Sequence, residues 1–471
     1  MSQNNGSPSA TQPEASPEYT LFVVLLTSFI VPFMSSSLNV AMASIGEHLA
    51  CNAAMLIWVM NSYLVSSAAF LLPFGRFADL FGRREVFLCG VAVFTVSSLL
   101  CGLAWSIESL LFFRVVQGIG SAAMFGTGIA ILTLAYPPEM RGRILGFNAA
   151  TVYVGLSIGP VIGGVMIKYI GWQSIFYFCV VVGLAATLLA YRKLYAEKVE
   201  TGNDAGFDLI GAGLYCVGLI LFLYGLSDIA TSGISRIIAA VGLLLLILFV
   251  RHQLHSPQPI LNVKLLISNT IFTCSNLAAL INYSATFAIG LLLAFYLQII
   301  LGYDSQMTGV ILIAYPFLMA VLSPFAGVLS DRVPPGIVAS WGMGVITVAL
   351  IMLSMLTGDS PLWYLVIAMV FLGVGFALFA TPNNNAIMGS VAKQYYGIAG
   401  STVGTMRLVG QAFSMMLVTL ILSYYIGDTP LQDADHGLLM QSFKTIYYIL
   451  TATCICGVFV SLAGSRRAID N

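Results

Sequence analysis

Apolar residues fall in long blocks along this chain, with short polar or Pro/Gly-marked breaks between them. A hydrocarbon core about 30 Å thick is crossed by a helix of about 20 apolar residues, and fourteen blocks meet that length. They lie near 20–44, 54–75, 86–105, 108–135, 144–169, 172–194, 207–227, 233–252, 269–300, 306–329, 336–357, 361–388, 396–426 and 441–464. The pattern predicts an all-α, polytopic membrane protein.

The breaks then give an orientation. Basic residues gather in alternate ones: Arg76, Arg83 and Arg84; Arg141 and Arg143; Arg192, Lys193 and Lys198; Arg251 and Lys264; Arg332; Lys393; Arg466 and Arg467. The intervening breaks hold mostly acids, among them Glu47, Glu108, Asp228, Asp304, Asp359, Asp428, Asp433 and Asp435. The positive-inside rule places the basic breaks and both termini in the cytoplasm, with the chain in the cell membrane.

Composition agrees with lipid as the solvent. Hydrophobic residues make up 59% of the 471, charged residues 8%, and the mean hydropathy is +0.95, whereas soluble chains carry about a quarter charged residues. Lys plus Arg and Asp plus Glu each total 19, so no charge imbalance points to nucleic acid. The first eighteen residues are rich in Ser, Pro, Gln and Asn without Lys or Arg, which predicts a disordered cytoplasmic tail. The eight cysteines have no C-x-x-C spacing and are expected to pack as small apolar groups.

An internal repeat emerges when Tyr63 to Asp79 is laid on Tyr315 to Asp331. Pro73-Phe74 and Gly75-Arg-Phe-Ala-Asp79 recur as Pro324-Phe325 and Gly327-Val-Leu-Ser-Asp331 at one offset. Two copies in the same membrane orientation describe a transporter with a pathway between two bundles. The expected layout is a tail (1–18), a six-helix bundle (19–195), two inserted helices (196–265), a second six-helix bundle (266–465) and a short tail (466–471).

Four sequence elements carry chemistry in chain order. Asn39-Val-Ala41 lies in the first span. A tight basic loop follows the second, Gly75-Arg-Phe-Ala-Asp79-Leu-Phe-Gly82-Arg83-Arg84. The fourth span holds Arg114-Val-Val-Gln117-Gly118-Ile-Gly120, and the fifth Gly155-x-x-x-Gly159-Pro160-x-x-Gly163-Gly164. In combination with fourteen spans, these elements resemble the major facilitator superfamily, in its fourteen-span drug/proton antiporter branch. The resemblance implies a secondary active exporter of small amphipathic molecules, working by alternating access and driven by protons. It makes the loop a conformational latch, with members Gly75, Asp79, Gly82, Arg83 and Arg84 and a weaker copy at Asp331 and Arg332. It gives the glycine helix an antiporter role and assigns proton coupling to Arg114.

A guanidinium inside an apolar span is costly and marks a cavity or a partner, which singles out Arg114 and, more weakly, Arg407. At the position five residues before Asn39, where the family pattern has an aspartate, this chain has Met34, and no acid lies mid-span. A cavity holding Arg114 and Arg407 would be electropositive, favouring an anionic, zwitterionic or neutral substrate over a lipophilic cation. The same absence opens the alternative of an uncoupled facilitator.

Further candidates for the cavity are the polar and aromatic residues within spans. The first bundle contributes Asn39, Asn61, Tyr63, Gln117, Asn148 and Tyr153, and the second Asn276, Asn282, Gln298, Tyr315, Asn384 and Gln411. Asn384 stands out because Thr381-Pro382-Asn383-Asn384-Asn385 predicts a helix discontinuity. Gly400 and Gly404 are expected to face the glycine helix from the second half. Neither an enzyme's constellation of acids and nucleophiles nor a G-x-x-x-x-G-K-[ST] loop occurs, so no ATP or other cofactor is implied. The expected partners are a small-molecule substrate, protons and the lipid bilayer, with the chain a monomer.

Overall fold

A computed structural model of the chain describes residues 17–194, 206–227, 229, 232–391, 396–427 and 429–469. Lys198, Asp228, Lys393 and Asp428 lie outside these residues, as do the side chains of Arg141, Arg143, Lys193, Arg466 and Arg467.

With no water to bond the backbone in hydrocarbon, each apolar block closes its amides internally as a helix. The first six are α1 (Pro17–Leu49), α2 (Ala53–Phe81), α3 (Arg83–Gly102), α4 (Ile107–Ala135), α5 (Pro138–Tyr169) and α6 (Gln173–Lys193). Then come α7 (Leu209–Ser227), α8 (Gly233–His255) and the short α9 (Val263–Ser268). The ninth span is broken into α10 (Thr270–Thr286), α11 (Ile289–Phe295) and a π-helical turn at Tyr296–Ile300; the tenth is α12 (Ser305–Leu312) followed by α13 (Ala314–Arg332). Last are α14 (Pro335–Ser354), α15 (Leu362–Gly389), α16 (Tyr396–Ile426) and α17 (His436–Ile469). Among the described residues, fourteen spans are long and apolar enough to cross a membrane. An even number puts the start of α1 and the end of α17 on one side, the terminal face; the other is the far face.

The repeat seen in the sequence is also a repeat of packing. In the first half α1 packs on α5 and α6, α2 on α4, and α3 on α4 and α6; in the second, α10 packs on α16 and α17, α13 on α15, and α14 on α15 and α17. Matching glycines make the matching contacts. Gly118 presses on the carbonyl of Tyr63 and Gly373 on that of Tyr315, while Gly90 meets Gly120 as Gly342 meets Gly375. Small residues permit this backbone approach where apolar area alone gives no drive for helices to associate in lipid.

The two halves meet along two seams, α2 with α16 and α5 with α12 and α13. The inserted pair packs on itself, and α7 runs the length of α2. Tyr224 stacks near Trp58, the Tyr215 hydroxyl donates to the Ala68 carbonyl (3.0 Å), and Phe207 meets Phe77 edge-on.

Two helix features depart from expectation. The discontinuity predicted at Thr381-Pro382 is absent, because a proline removes one amide donor and α15 continues through it to Gly389. The break lies instead in the ninth span, where the Ala288 amide donates to the Ser414 hydroxyl of α16 (3.1 Å). The π turn follows at the far end, closed by Leu301 N–H to the Tyr296 carbonyl (3.1 Å).

Candidate functional site

The far ends of the halves are closed on each other. Across the α5 seam, Gly164 lies against the Ser305 carbonyl and Gly309 against the Pro160 carbonyl, so close that a Cβ at either position would collide with backbone. At the rim, Lys168 Nζ pairs with Asp304 (2.8 Å) and donates to Gln306 (3.0 Å). Lys168 and the Met307 amide hold the Asp304 carboxyl below its ordinary range. Asp304 thereby caps α12 and pins it to α5 together. Gln298 Nε2 reaches the Val40 carbonyl (3.0 Å) and Gln432 the Ala43 carbonyl (3.1 Å), tying the second half to α1. On the α2 seam, Asn61 Nδ2 donates to Thr419 Oγ1 (3.0 Å).

Below this closure, residues of both halves converge near the middle of the membrane. Asn39 and Tyr315 approach each other over Gly290, where a Cβ would sit 2.8 Å from Asn39 Nδ2 and 3.1 Å from the Tyr315 hydroxyl. Tyr153 of α5 extends across the seam to lie beside the hydroxyls of Ser323 and Thr381, within electrostatic reach of Tyr283 and Arg407. Arg407 and Gln411 are partly exposed. Asn384, one turn from Thr381 toward the terminal face, is exposed.

Arg114 is not part of this convergence, contrary to the sequence expectation of a cavity. It is 1% exposed, deep inside the first half. Its Nε donates to the Val59 carbonyl (2.8 Å), its Nη1 to Gln117 Oε1 (2.5 Å), and its guanidinium lies over the Tyr63 ring at 4.4 Å. Gln117 continues to Ser98 Oγ (2.6 Å) and Tyr63 to Ser121 Oγ (2.6 Å). The Met34 thioether is 3.5 Å from Nη1. The cation is thus held by a carbonyl, an amide, a π face and a sulfur, with no carboxylate among the described residues against it.

Other predicted cavity residues also turn inward to packing. Asn276 bonds back to the Phe272 carbonyl (2.8 Å) and is buried. Asn282 is fully buried, and neither amide atom has a partner among the described residues. Asn148 is 9% exposed, beside Thr27 and Ser28 in a small cleft between α1, α4 and α5.

The glycine helix divides its work. Gly155, Gly159 and Gly163 receive Phe29, Phe33, Ser36 and Ser37 of α1, within one half, whereas Pro160 and Gly164 form the far seam. Gly400 and Gly404 do not face α5; they lie beside Met388 and Leu71. The counterpart of Gly155 is Gly410, set against the Leu280 carbonyl just as Gly155 is set against that of Phe29. The pair 155 and 410 stands three residues beyond the offset of Tyr63 and Tyr315, the same shift that separates Gly118 from Gly373, so the Tyr63–Tyr315 register alone does not reveal it.

The basic loop is engaged within its own half. Gly82, at φ 106°, makes the reversal between α2 and α3 that a side chain would strain. Asp79 Oδ1 accepts from Arg83 Nη2 (2.8 Å) and Nε (3.0 Å), and Arg84 Nη2 donates to the Tyr191 carbonyl on α6 (2.9 Å). Asp331 and Arg332 are exposed.

Comparison with known proteins places this architecture. The model for the Major Facilitator Superfamily matches residues 24–273 and 275–468. The uncharacterized transporter YebQ of Escherichia coli is 32% identical over 91% of this chain and 92% of its own, and the riboflavin transporter RibZ of Clostridioides difficile 27% identical over 95% and 98%. The tetracenomycin C resistance and export protein of Streptomyces glaucescens is 28% identical over 87% and 76%. In fold, the chain is similar to a bacterial homologue of the human lysosomal transporter Spinster, solved inward-facing and occupied (TM-score 0.68, 14% identity, covering 95% of this chain and 97% of that one). With the paired bundles, the fourteen spans and these relatives together, the chain belongs to the Major Facilitator Superfamily, as a multi-pass membrane transporter.

Proposed function

We propose that this protein is a secondary exporter of small amphipathic molecules in the cell membrane, with both termini cytoplasmic, acting as a monomer by alternating access. The far closure above the mid-membrane convergence of Asn39, Tyr315 and Tyr153 carries this reading. Contacts such as Gly164 with Ser305 and Lys168 with Asp304 join elements of opposite halves at the far face, so rocking the halves would part them and open the region between the halves to that face. The terminal face, rich in Arg and Lys, is the cytoplasmic one. Asp79 bonded to Arg83 within its own loop fits a latch released in this inward-facing state. The drug-resistance names among the relatives support export, and the riboflavin transporter supports a planar aromatic cargo.

Inward proton movement is the proposed driving force, with Arg114 in the coupling network. Met34 against Arg114, where a titratable acid would stand for coupling, favours a second reading, an uncoupled facilitator. Flux from proteoliposomes under an imposed pH gradient separates them. Antiport predicts substrate movement that stops with protonophore, while flux indifferent to the gradient establishes the facilitator. Absence of counterflow with every substrate that binds would overturn transport itself.

A further inference from the structure

We infer that Arg407, with Tyr153, Tyr283 and Thr381, forms an anion-recognising subsite in the pathway, for substrates bearing a carboxylate or phenolate on a planar aromatic body. The inference deepens the proposed function and rests on it.

The charge inventory comes first. Among the described residues, the acids lie in loops or near helix ends, and Arg114 and Arg407 alone place a cation deep within a span. Arg114 is sealed inside the first half, its guanidinium occupied by Val59, Gln117 and Tyr63. Arg407 is partly exposed and makes no hydrogen bond or ion pair with a described residue. It lies eleven residues into α16, about 16 Å along the helix, too deep to snorkel readily to the membrane face. Deep within a span and unpaired among the described residues, it suits an anion.

Its direction follows from its neighbours on α16. Gly410 faces Leu280 and Tyr283 of α10, and Gly404 faces Leu71 of α2 in the other half. At about 100° per residue, Arg407 lies in the sector between those two contacts, toward the gap between the halves and away from lipid. Tyr153 enters the same gap from α5, beside Thr381 and Ser323 and within reach of Arg407 and Tyr283. Two tyrosines, Tyr153 and Tyr283, and the hydroxyls beside Tyr153 therefore share one region with the Arg407 cation, which suits a flat ring with an acidic substituent. Nor is the cation a demand of the fold. Gly155 and Gly410 are matched in the repeat, and the same offset sets Arg407 on Val152.

The test uses the purified full chain and two xanthene dyes of similar shape and opposite charge, fluorescein (anion) and rhodamine 123 (cation), with binding read by fluorescence polarisation. Wild type is expected to bind fluorescein tighter by about tenfold or more, the size of one charge-assisted hydrogen bond. Arg407→Gln is expected to erase that preference while leaving rhodamine 123 binding equal or tighter, and Arg407→Lys to restore part of it. Unchanged thermal unfolding of Arg407→Gln excludes a folding defect. Equal binding of the dyes by wild type, no binding of fluorescein, or an unaltered preference in Arg407→Gln would each overturn the subsite. Counterflow of the same dyes separates this from the transport reading: binding with the predicted preference but without exchange would sink transport and leave the anion site standing.

Discussion

The far closure can be forced open by a single methyl group. A Cβ added at Gly164 meets the Ser305 carbonyl, with its carbon at 3.1 Å and Gln306 Cα at 3.2 Å; one added at Gly309 meets the Pro160 carbonyl, with its carbon at 2.7 Å and Val161 Cα at 3.3 Å. These obstacles are backbone atoms of the opposite half, so no rotamer change relieves them. Overpacking of this kind costs about 1–3 kcal/mol. The cost falls only on the state in which the seam is shut, so each substitution shifts the inward-to-outward ratio by about 5- to 150-fold. Gly155→Ala is the control, because its Cβ meets the Phe29 carbonyl at 2.7 Å within one half and penalises both states alike. The assay is the labelling rate of a cysteine introduced at Tyr315, in a background freed of native cysteines, by an impermeant thiol reagent added at the far face. Gly164→Ala and Gly309→Ala should label faster in folded protein, and Gly155→Ala at the parent rate. Parent rates in both seam variants would refute the assignment of these glycines to a gate.

Three further outcomes follow from the same geometry. Arg114→Gln leaves the Val59 carbonyl and Gln117 without their donor, so thermal unfolding should fall by several degrees, at about 1–3 kcal/mol for each stranded acceptor; an unchanged melting curve would contradict the packed site. Met34→Asp sets a carboxylate by Arg114 Nη1 and should be more stable at pH 7 than Met34→Asn by about 1–3 kcal/mol, with equal stability of the two refuting the contact. The Lys168–Asp304 pair gives a pH window. Asp304 is lowered from 3.8 by Lys168 and the Met307 amide, so its contribution is present above that value and lost as pH falls through the depressed one. Far-face labelling should therefore not respond to this pair between pH 5 and 7 (about one unit or more above the Asp304 limit), and a change there that Lys168→Met removes would contradict it.

Much of the fold was legible because lipid imposes a coarse rule. A block of about 20 apolar residues has one stable solution as a spanning segment, and the expected 108–135 and 233–252 fall on α4 and α8 within a few residues. The repeat was legible because Tyr63 and Tyr315 share an offset, and their carbonyls do receive matching glycines. Facing was not legible. Asn61, Gln117 and Asn276 look identical in sequence to pathway residues, yet each is spent on a neighbouring helix or on its own turn. Arg114 drew the strongest signal, and its burial depends on Val59 and Tyr63 of another helix, which no spacing in α4 encodes. Arg407 drew a weaker one and sits nearer the gap. The break at Phe287–Ala288 carries no Pro, and its stabilising hydroxyl, Ser414, lies 126 residues away.

The central claim, that parting the far seam is a step of transport, is met most directly by locking it. Cysteines at Lys168 and Asp304, joined by a short reducible bis-thiol reagent, hold α5 to α12 where the native side chains already touch. Substrate exchange in proteoliposomes should stop with the bridge formed and return when it is reduced. Exchange at the unbridged rate through a fully cross-linked protein would contradict alternating access at this seam.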